Sequence, residues 1–456
     1  MVRPSRRSRA LRWAALAALA AASLLVLPAV SPADSHGPTL EGPIPGTAPG
    51  DRLSPVLGET YPFFSTWHDL AGAGYVEEEY YLSGHADAYS TAGAKTGTDV
   101  AYRTRLIVRR PVSQDDFNGT VLVEWQNVTA GYDLDALWNP RHLREGYVWI
   151  GVSAQRVGVD QLRGWSPTRY GSLDVTGAGA FTTDQLSYDI FAQAAQALKT
   201  PGAVDPLARL DVERVLAIGA SQSAGRMTIY YNVVLPQETP VFDGYGFIVG
   251  SAPTRVGPEP IIQVLSETDV TNPATRRPDS VVFRRWEVAG AAHSGFEGAE
   301  YRRPLQVRDL GAAPVYECTN PHFSRVLLSQ PIEAAYAHLA RWVDGGAPPP
   351  QAPYLQFDGL TKVRNALGLA QGGIQLSQVS VPTALNTGSN SGPSFCILFG
   401  THVPFGDAQL ASLYRNHGRY VSGVSNADAA NVAAGYLLPA DAEENQREAA
   451  HSEVGK

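Results

Sequence analysis

Cysteine is nearly absent from this sequence: among 456 residues only Cys318 and Cys396 occur. Cys318 and His322 have the spacing of a metal-ligand pair, but no second such pair completes a four-ligand set, so neither a metal site nor a cofactor is expected. A single Cys318–Cys396 disulfide is the natural reading for two thiols in an exported chain, with two buried free thiols as the alternative. A hydrophobic run of membrane-spanning length is also missing, because WAALAALAAASLLVLPAV near the N-terminus is short for a span. Positive charge is scarce as well. The formal net charge is −8, and removing residues 1–33, whose charged residues are five arginines, leaves −13. So acidic a chain is a poor partner for nucleic acid. Internal repeats and long low-complexity tracts are absent, which leaves an ordinary globular composition.

What is present begins with an export signal. Arg3, Arg6, Arg7, Arg9 and Arg12 precede the apolar run, and Ser31-Pro32-Ala33 offers small residues for cleavage before Asp34. The pair Arg6-Arg7 loosely resembles a twin-arginine signal. No cysteine lies near the cleavage site, so neither a lipid anchor nor a stable membrane anchor is expected after cleavage, and the mature chain should be secreted or extracytoplasmic. Residues 34–58 are rich in Pro and Gly without apolar periodicity and read as an extended lead-in. Residues 59–350 read as one large catalytic domain, and residues 351–456 as a C-terminal extension packing on it.

Within 59–350 strand and helix signals alternate. Tyr75–Leu82, Tyr102–Arg109, Gly119–Trp125 and Tyr147–Ser153 read as strands, with a helical stretch near Asp135–Arg144. Then come a helix over Thr183–Leu198, capped by Thr183 or Asp184, a strand over Val212–Ile218 and a helix over Ala224–Val234. Strands follow at Tyr245–Gly250, Ile261–Leu265 and Val281–Val288, and a helix at Pro331–Val343. This order predicts an α/β fold with a mostly parallel central sheet and helices on both faces. In the tail a Gly/Ser/Asn-rich stretch at Asn386–Gly392 precedes FCILFGTHVPF and a helical run over Asp407–Val421.

The strand VERVLAI runs into Gly219-Ala220-Ser221-Gln222-Ser223-Ala224-Gly225 and then a helix. That is the context of a nucleophile elbow, where a tight turn demands small residues two before and two after the apex serine. Ser221 and Ser223 both satisfy the size rule. Ser221 is preferred because Gly219 closes the strand at once. A nucleophilic serine needs a base, and the base a carboxylate, in the chain order Ser, acid, His. Asp269 lies just past the strand IIQVL, with Glu267 as alternative. His293 lies just past VVFRRWEV in a loop of small residues. Of the ten histidines, His36 and His451 lie in tails, His142 and His338 on helices, His68 and His85 before the sheet, and His322 and His417 without a preceding strand. His402, after FCILF, is the remaining alternative. Oxyanion donors are sought at Gln222 and near Asn127. Only SAPTRVGPEP separates Gly250 from Ile261, so a lid must come from Gln155–Phe181, with Arg156, Trp165 and Tyr170, or from beyond the Pro331 helix.

VLVEWQNVTAGYD, YVWIGVSAQRVGV, SYDIFAQAAQAL, VLAIGASQSAGRM, WEVAGAAHSGF and CILFGTHVPF together resemble the bacterial family of alpha/beta hydrolase domain proteins over most of the mature chain. The G-x-S-Q-S string also resembles a cutinase elbow, with Ser223 where a glycine is expected. The resemblance implies an α/β-hydrolase fold and serine-dependent hydrolysis without specifying a substrate. The expectation is therefore a carboxylic ester hydrolase acting on a small-molecule or polymer-derived ester. An acyltransferase or peptidase with the same triad is the near alternative, and a catalytically silent surface or glycan-binding protein on the same scaffold is the alternative of another class.

Overall fold

The computed structural model describes residues 37–46 and 60–456. The export signal and most of the lead-in lie outside these residues. Residues Gly37–Lys456 form one compact unit.

Nine strands make one sheet: β1 Thr39–Glu41, β2 Tyr75–Tyr89, β3 Lys95–Pro111, β4 Thr120–Trp125, β5 Val148–Val152, β6 Arg214–Ala220, β7 Gly244–Ile248, β8 Ile261–Ser266 and β9 Phe283–Val288. Their spatial order is β1-β2-β3-β5-β4-β6-β7-β8-β9. β1, β2 and β3 pair antiparallel, β3 joins β5 antiparallel, and every pairing from β5 to β9 is parallel. The parallel strands β4 and β5 are buried at every residue, as their near-continuous apolar runs require when both faces are covered. β7 shows how. A Cβ on Gly244 or Gly246 would meet Leu339, Val343 or Tyr336 of the helix Ser329–Val343. Tyr245, pointing the other way, packs edge-on against Tyr231, beyond the helix Gln222–Ile229. Helices thus cover both faces.

β9 is an edge strand, and the chain after the Ser329–Val343 helix covers it. Trp286 Nε1 donates to Pro350 O at 2.9 Å, and Arg284 Nε to Pro349 O at 2.8 Å. Glu287, buried, accepts from Arg285, Arg276 and the Leu355 N–H, which satisfies a carboxylate that otherwise could not be buried. Val288 then bridges to Ile374 in parallel.

Three elements differ from expectation. The stretch Asp135–Arg144 is helical only over Arg141–Glu145. Asp135 is held by Arg109 Nη1 and Tyr301 Oη, and the Leu137 N–H donates to Glu124 in β4, so side-chain bonds displace the first helical turns. The helix expected from Thr183 starts at Ser187 and has no side-chain cap. Asp184 instead holds the Arg156 N–H and Arg226 Nη2, both at 2.8 Å. In the tail, helices span Asp407–Leu413, His417–Ala434 and Pro439–His451, so the single run over Asp407–Val421 is broken at Tyr414–Asn416. Asn416 caps the second of these through the Arg419 N–H.

Candidate active site

β6 ends at Ala220, and the next helix begins at Gln222. Ser221 between them has φ +56° and ψ −116°, a conformation costly for a residue with a side chain and held only because strand and helix fix both ends. Its N–H donates to Ile248 O at 3.0 Å, and its carbonyl accepts from the Gly225 N–H at 3.0 Å. A Cβ on Gly219 would lie 3.2 Å from the Ala224 nitrogen, which explains the need for a minimal residue there. Ser223 is buried in the first helical turn. Its Oγ donates to Ala220 O at 2.9 Å and accepts from the Ala220 N–H at 3.0 Å. Ser221 therefore occupies the apex and faces the cavity, while Ser223 clasps the strand end from within.

Asp269 and His293 come together at the ends of β8 and β9. His293 Nδ1 lies 2.6 Å from Asp269 Oδ1. The other carboxylate oxygen accepts from Ser266 Oγ at 2.6 Å and from the Ser266 N–H at 3.1 Å, so the acid is held rigid. An ionised carboxylate can only accept, which puts the imidazole proton on Nδ1 and leaves Nε2 as a base. The His293 N–H donates to Thr268 Oγ1, and Thr268 in turn donates to Gly388 O. Gly388 belongs to the Gly/Ser/Asn-rich tail stretch, and a Cβ there would strike the Thr268 nitrogen and Glu267. Glu267 lies apart from the histidine. It is buried, accepting from the Gly290 N–H at 2.8 Å and Arg364 Nη2 at 2.6 Å, and so ties the His293 loop to the tail. His402 sits in a separate hairpin, 2.9 Å from Asn386 Oδ1.

Gln222 and Asn127 flank the elbow. The Asn127 side chain donates to Ala220 O at 2.9 Å and accepts from the Thr129 N–H, and the Val128 N–H donates to Gln222 Oε1 at 3.3 Å. Gln222 Nε2 also donates to Gln155 at 2.5 Å. These side chains are committed to bracing the turn. The Asn127 main chain is itself paired, its carbonyl accepting from the Leu134 N–H at 2.8 Å in an isolated antiparallel bridge, whereas the Gln222 N–H opens the helix that follows Ser221.

Ser221 and His293 line one cavity of about 540 Å³. Its walls come from the loop after β4, the helix Phe296–Leu310, and the tail residues Phe395, Leu398 and Phe399. Of the two lid sources expected, the region beyond the Pro331 helix lines the cavity, whereas Gln155–Phe181 does not. Trp165 packs against Tyr61 and Phe63, and Tyr170 donates to Glu79, so that segment supports the hairpin β2–β3 instead. Cys318 and Cys396 form a disulfide that holds the Phe395–Phe399 wall. It removes the pairing of Cys318 with His322 as ligands.

Sequence reasoning missed His68, Tyr301 and Arg302, all of which line the cavity. His68 stacks on Trp67 and on Tyr301, with centroids 4.3 Å and 5.2 Å away. Burial, helped by the nearby Arg109 charge, lowers its pKa to about 4, so the ring is neutral in the working range. No strand or motif signal marks these residues, since they reach the cavity through packing alone.

Residues 40–447 match the family described as alpha/beta hydrolase domain. The chain belongs to this family. As an alpha/beta hydrolase it is similar in structure to a prolyl endopeptidase, at 10% identity and TM-score 0.29, covering 47% of this chain and 35% of the other. It is also similar to the esterase Est22, at 9% identity and TM-score 0.28, covering 43% and 65%. Oligopeptidase B from Trypanosoma brucei aligns at 11% identity and TM-score 0.30, covering 54% and 38%. The chain thus spans less than two thirds of the length of these structures. No curated protein matches its sequence.

Proposed function

We propose that this alpha/beta hydrolase is an exported serine hydrolase that cleaves carboxylic esters. The observation that carries the reading is Ser221, at a strained apex, opening into the same cavity as an imidazole already bonded through Nδ1 to Asp269. In the proposed cycle Ser221 Oγ attacks the ester carbonyl carbon while His293 Nε2 takes its proton, and Asp269 stabilises the imidazolium. In this reading the tetrahedral oxyanion is received by the main-chain N–H of Gln222 and by a second donor near Asn127. Collapse breaks the bond to the alcohol oxygen, which leaves with the proton from His293. Water, deprotonated by the same base, then attacks the acyl-enzyme and releases the acid and Ser221.

The test is labelling of the purified mature chain with a fluorophosphonate probe. Labelling is expected in the unmutated protein and in Ser223→Ala, and its loss in Ser221→Ala. Asp269→Asn should retain the fold and hydrolyse aryl esters about 10³–10⁴-fold more slowly. A folded wild-type protein that neither labels nor hydrolyses aryl esters would sink the proposal.

Export is supported by the arginine-rich start, the apolar run after it and the Cys318–Cys396 disulfide. Among the described residues no helix is long and apolar enough to cross a membrane. Intact-mass measurement of the protein recovered outside the cytoplasm should give a chain starting at Asp34. A chain retaining Met1 in that fraction contradicts cleavage.

A further inference from the structure

Two arginines line the cavity, and they differ in one respect. Arg141 is saturated by Glu297, Asp441 and Glu444. Arg302 has no carboxylate partner among the described residues. Its Nη2 donates to Ser294 Oγ at 2.8 Å, one residue from His293, and among the described residues its remaining N–H groups make no hydrogen bond. Arg302 follows Gly298 by one turn in the helix Phe296–Leu310, and a Cβ at position 298 would lie 2.9 Å from Nη1. The guanidinium thus lies over the bare helix surface at Gly298. Several carboxylates line the same cavity, but among the described residues none lies within ion-pair distance of Arg302. Glu297 is engaged by Arg141 and Ser329, and Glu300 is exposed at the cavity edge without reaching Arg302. The Arg302 charge opposes the burial that raises the Tyr132 and Tyr316 phenols and the Asp135 carboxyl, which places it among the cavity's own groups.

A half-buried guanidinium beside a candidate base, with no carboxylate partner among the described residues, has the fork geometry that matches a carboxylate. We propose that Arg302 sets the specificity of the site by receiving a carboxylate of the substrate. The substrate class is then an ester that also bears a free carboxylate, either a half-ester of a dicarboxylic acid or an ester whose alcohol part carries the acid. The inference rests on the ester-hydrolase reading for the chemistry, but not for the binding of the anion.

The experiment therefore has two arms on the mature full-length chain. The first compares kcat/KM for matched esters: mono-4-nitrophenyl glutarate against 4-nitrophenyl valerate, with the charge on the acyl side, and 3-carboxyphenyl butyrate against 3-methylphenyl butyrate, with it on the alcohol side. For at least one pair the wild type should favour the anionic ester. Arg302→Gln should lower that preference about tenfold or more, mainly through KM, with Arg302→Lys in between. The second arm measures benzoate binding by calorimetry, expected in the wild type and lost in Arg302→Gln. Fluorophosphonate labelling of each variant reports an intact site. Unchanged preference in both pairs in a labelled Arg302→Gln protein overturns the inference. If the wild type hydrolyses none of the four esters, the ester-hydrolase reading fails and benzoate decides alone. Loss of benzoate binding in Arg302→Gln then supports the anion site, and equal binding in wild type and variant overturns it.

Discussion

Ser221 and Ser223 carry the same hydroxyl two residues apart, and the backbone gives them opposite fates. One sits at φ +56° facing the cavity; the other spends its oxygen on both main-chain groups of Ala220. Asp269 and Glu267 divide in the same way, one toward His293 and one toward Gly290 and Arg364. In both pairs the discriminating signal in the sequence is distance past a strand end, and it is thin, because residue type and size are alike. His68 had no such signal, since its place depends on stacking with Tyr301, more than two hundred positions away. Its neutrality has a measurable consequence. With a folded pKa near 4 and an ordinary value near 6.5, the unfolded chain binds the proton more readily between those limits, so His68 removes stability as pH falls from about 6.5 to about 4. Denaturant unfolding of His68→Gln should show a shallower loss over that window than the wild type. Equal slopes would contradict the burial assigned to the ring.

The strands β4 to β9 were legible because strands buried on both faces read as compact apolar runs bounded by turns. The helix Phe296–Leu310 was not. It buries only Tyr301, Leu305, Arg308 and Asp309, carries Pro304 inside it, and so lacks the apolar spacing that announces a helix. The same holds for the loop Asp135–Asn139, where Arg109, Tyr301 and Glu124 override local helix preference. These two unannounced segments and the Phe395–Phe399 turn all contribute to the cavity wall. The disulfide behind that turn closes a loop of 78 residues. Replacing both cysteines by serine should lower unfolding stability by about 2–5 kcal/mol and broaden the range of acyl lengths hydrolysed, read by denaturation and by an ester panel. Unchanged stability and an unchanged ester profile would show that the wall holds without it.

The last hundred residues complete the molecule. They cover edge strand β9 through Leu355 and Ile374, seat Gly388 against the acid loop, and bring Asp441 to Arg141 at 2.8 Å. Tyr436 packs edge-on against Trp286 at 5.4 Å. A chain ending at Pro350 would expose β9 and leave Glu287 and Arg141 short of partners, so it should aggregate or unfold without cooperativity and fail to label. A soluble 1–350 fragment that unfolds cooperatively and takes the fluorophosphonate would overturn this view of the tail.

The sequence by itself determined the alternation of strand and helix, the parallel sheet and the strand ends past which Ser221, Asp269 and His293 lie. These follow from local patterns: apolar runs, small residues at a turn, and polar residues just past a strand. Only the tertiary structure decided which serine stands at the apex, which carboxylate meets the imidazole, and what walls the cavity. Those outcomes depend on contacts between segments far apart in the chain, such as Thr268 with Gly388 and Tyr301 with His68. Arg302 belongs to the second group, since its lack of a carboxylate partner among the described residues is a property of everything packed around it.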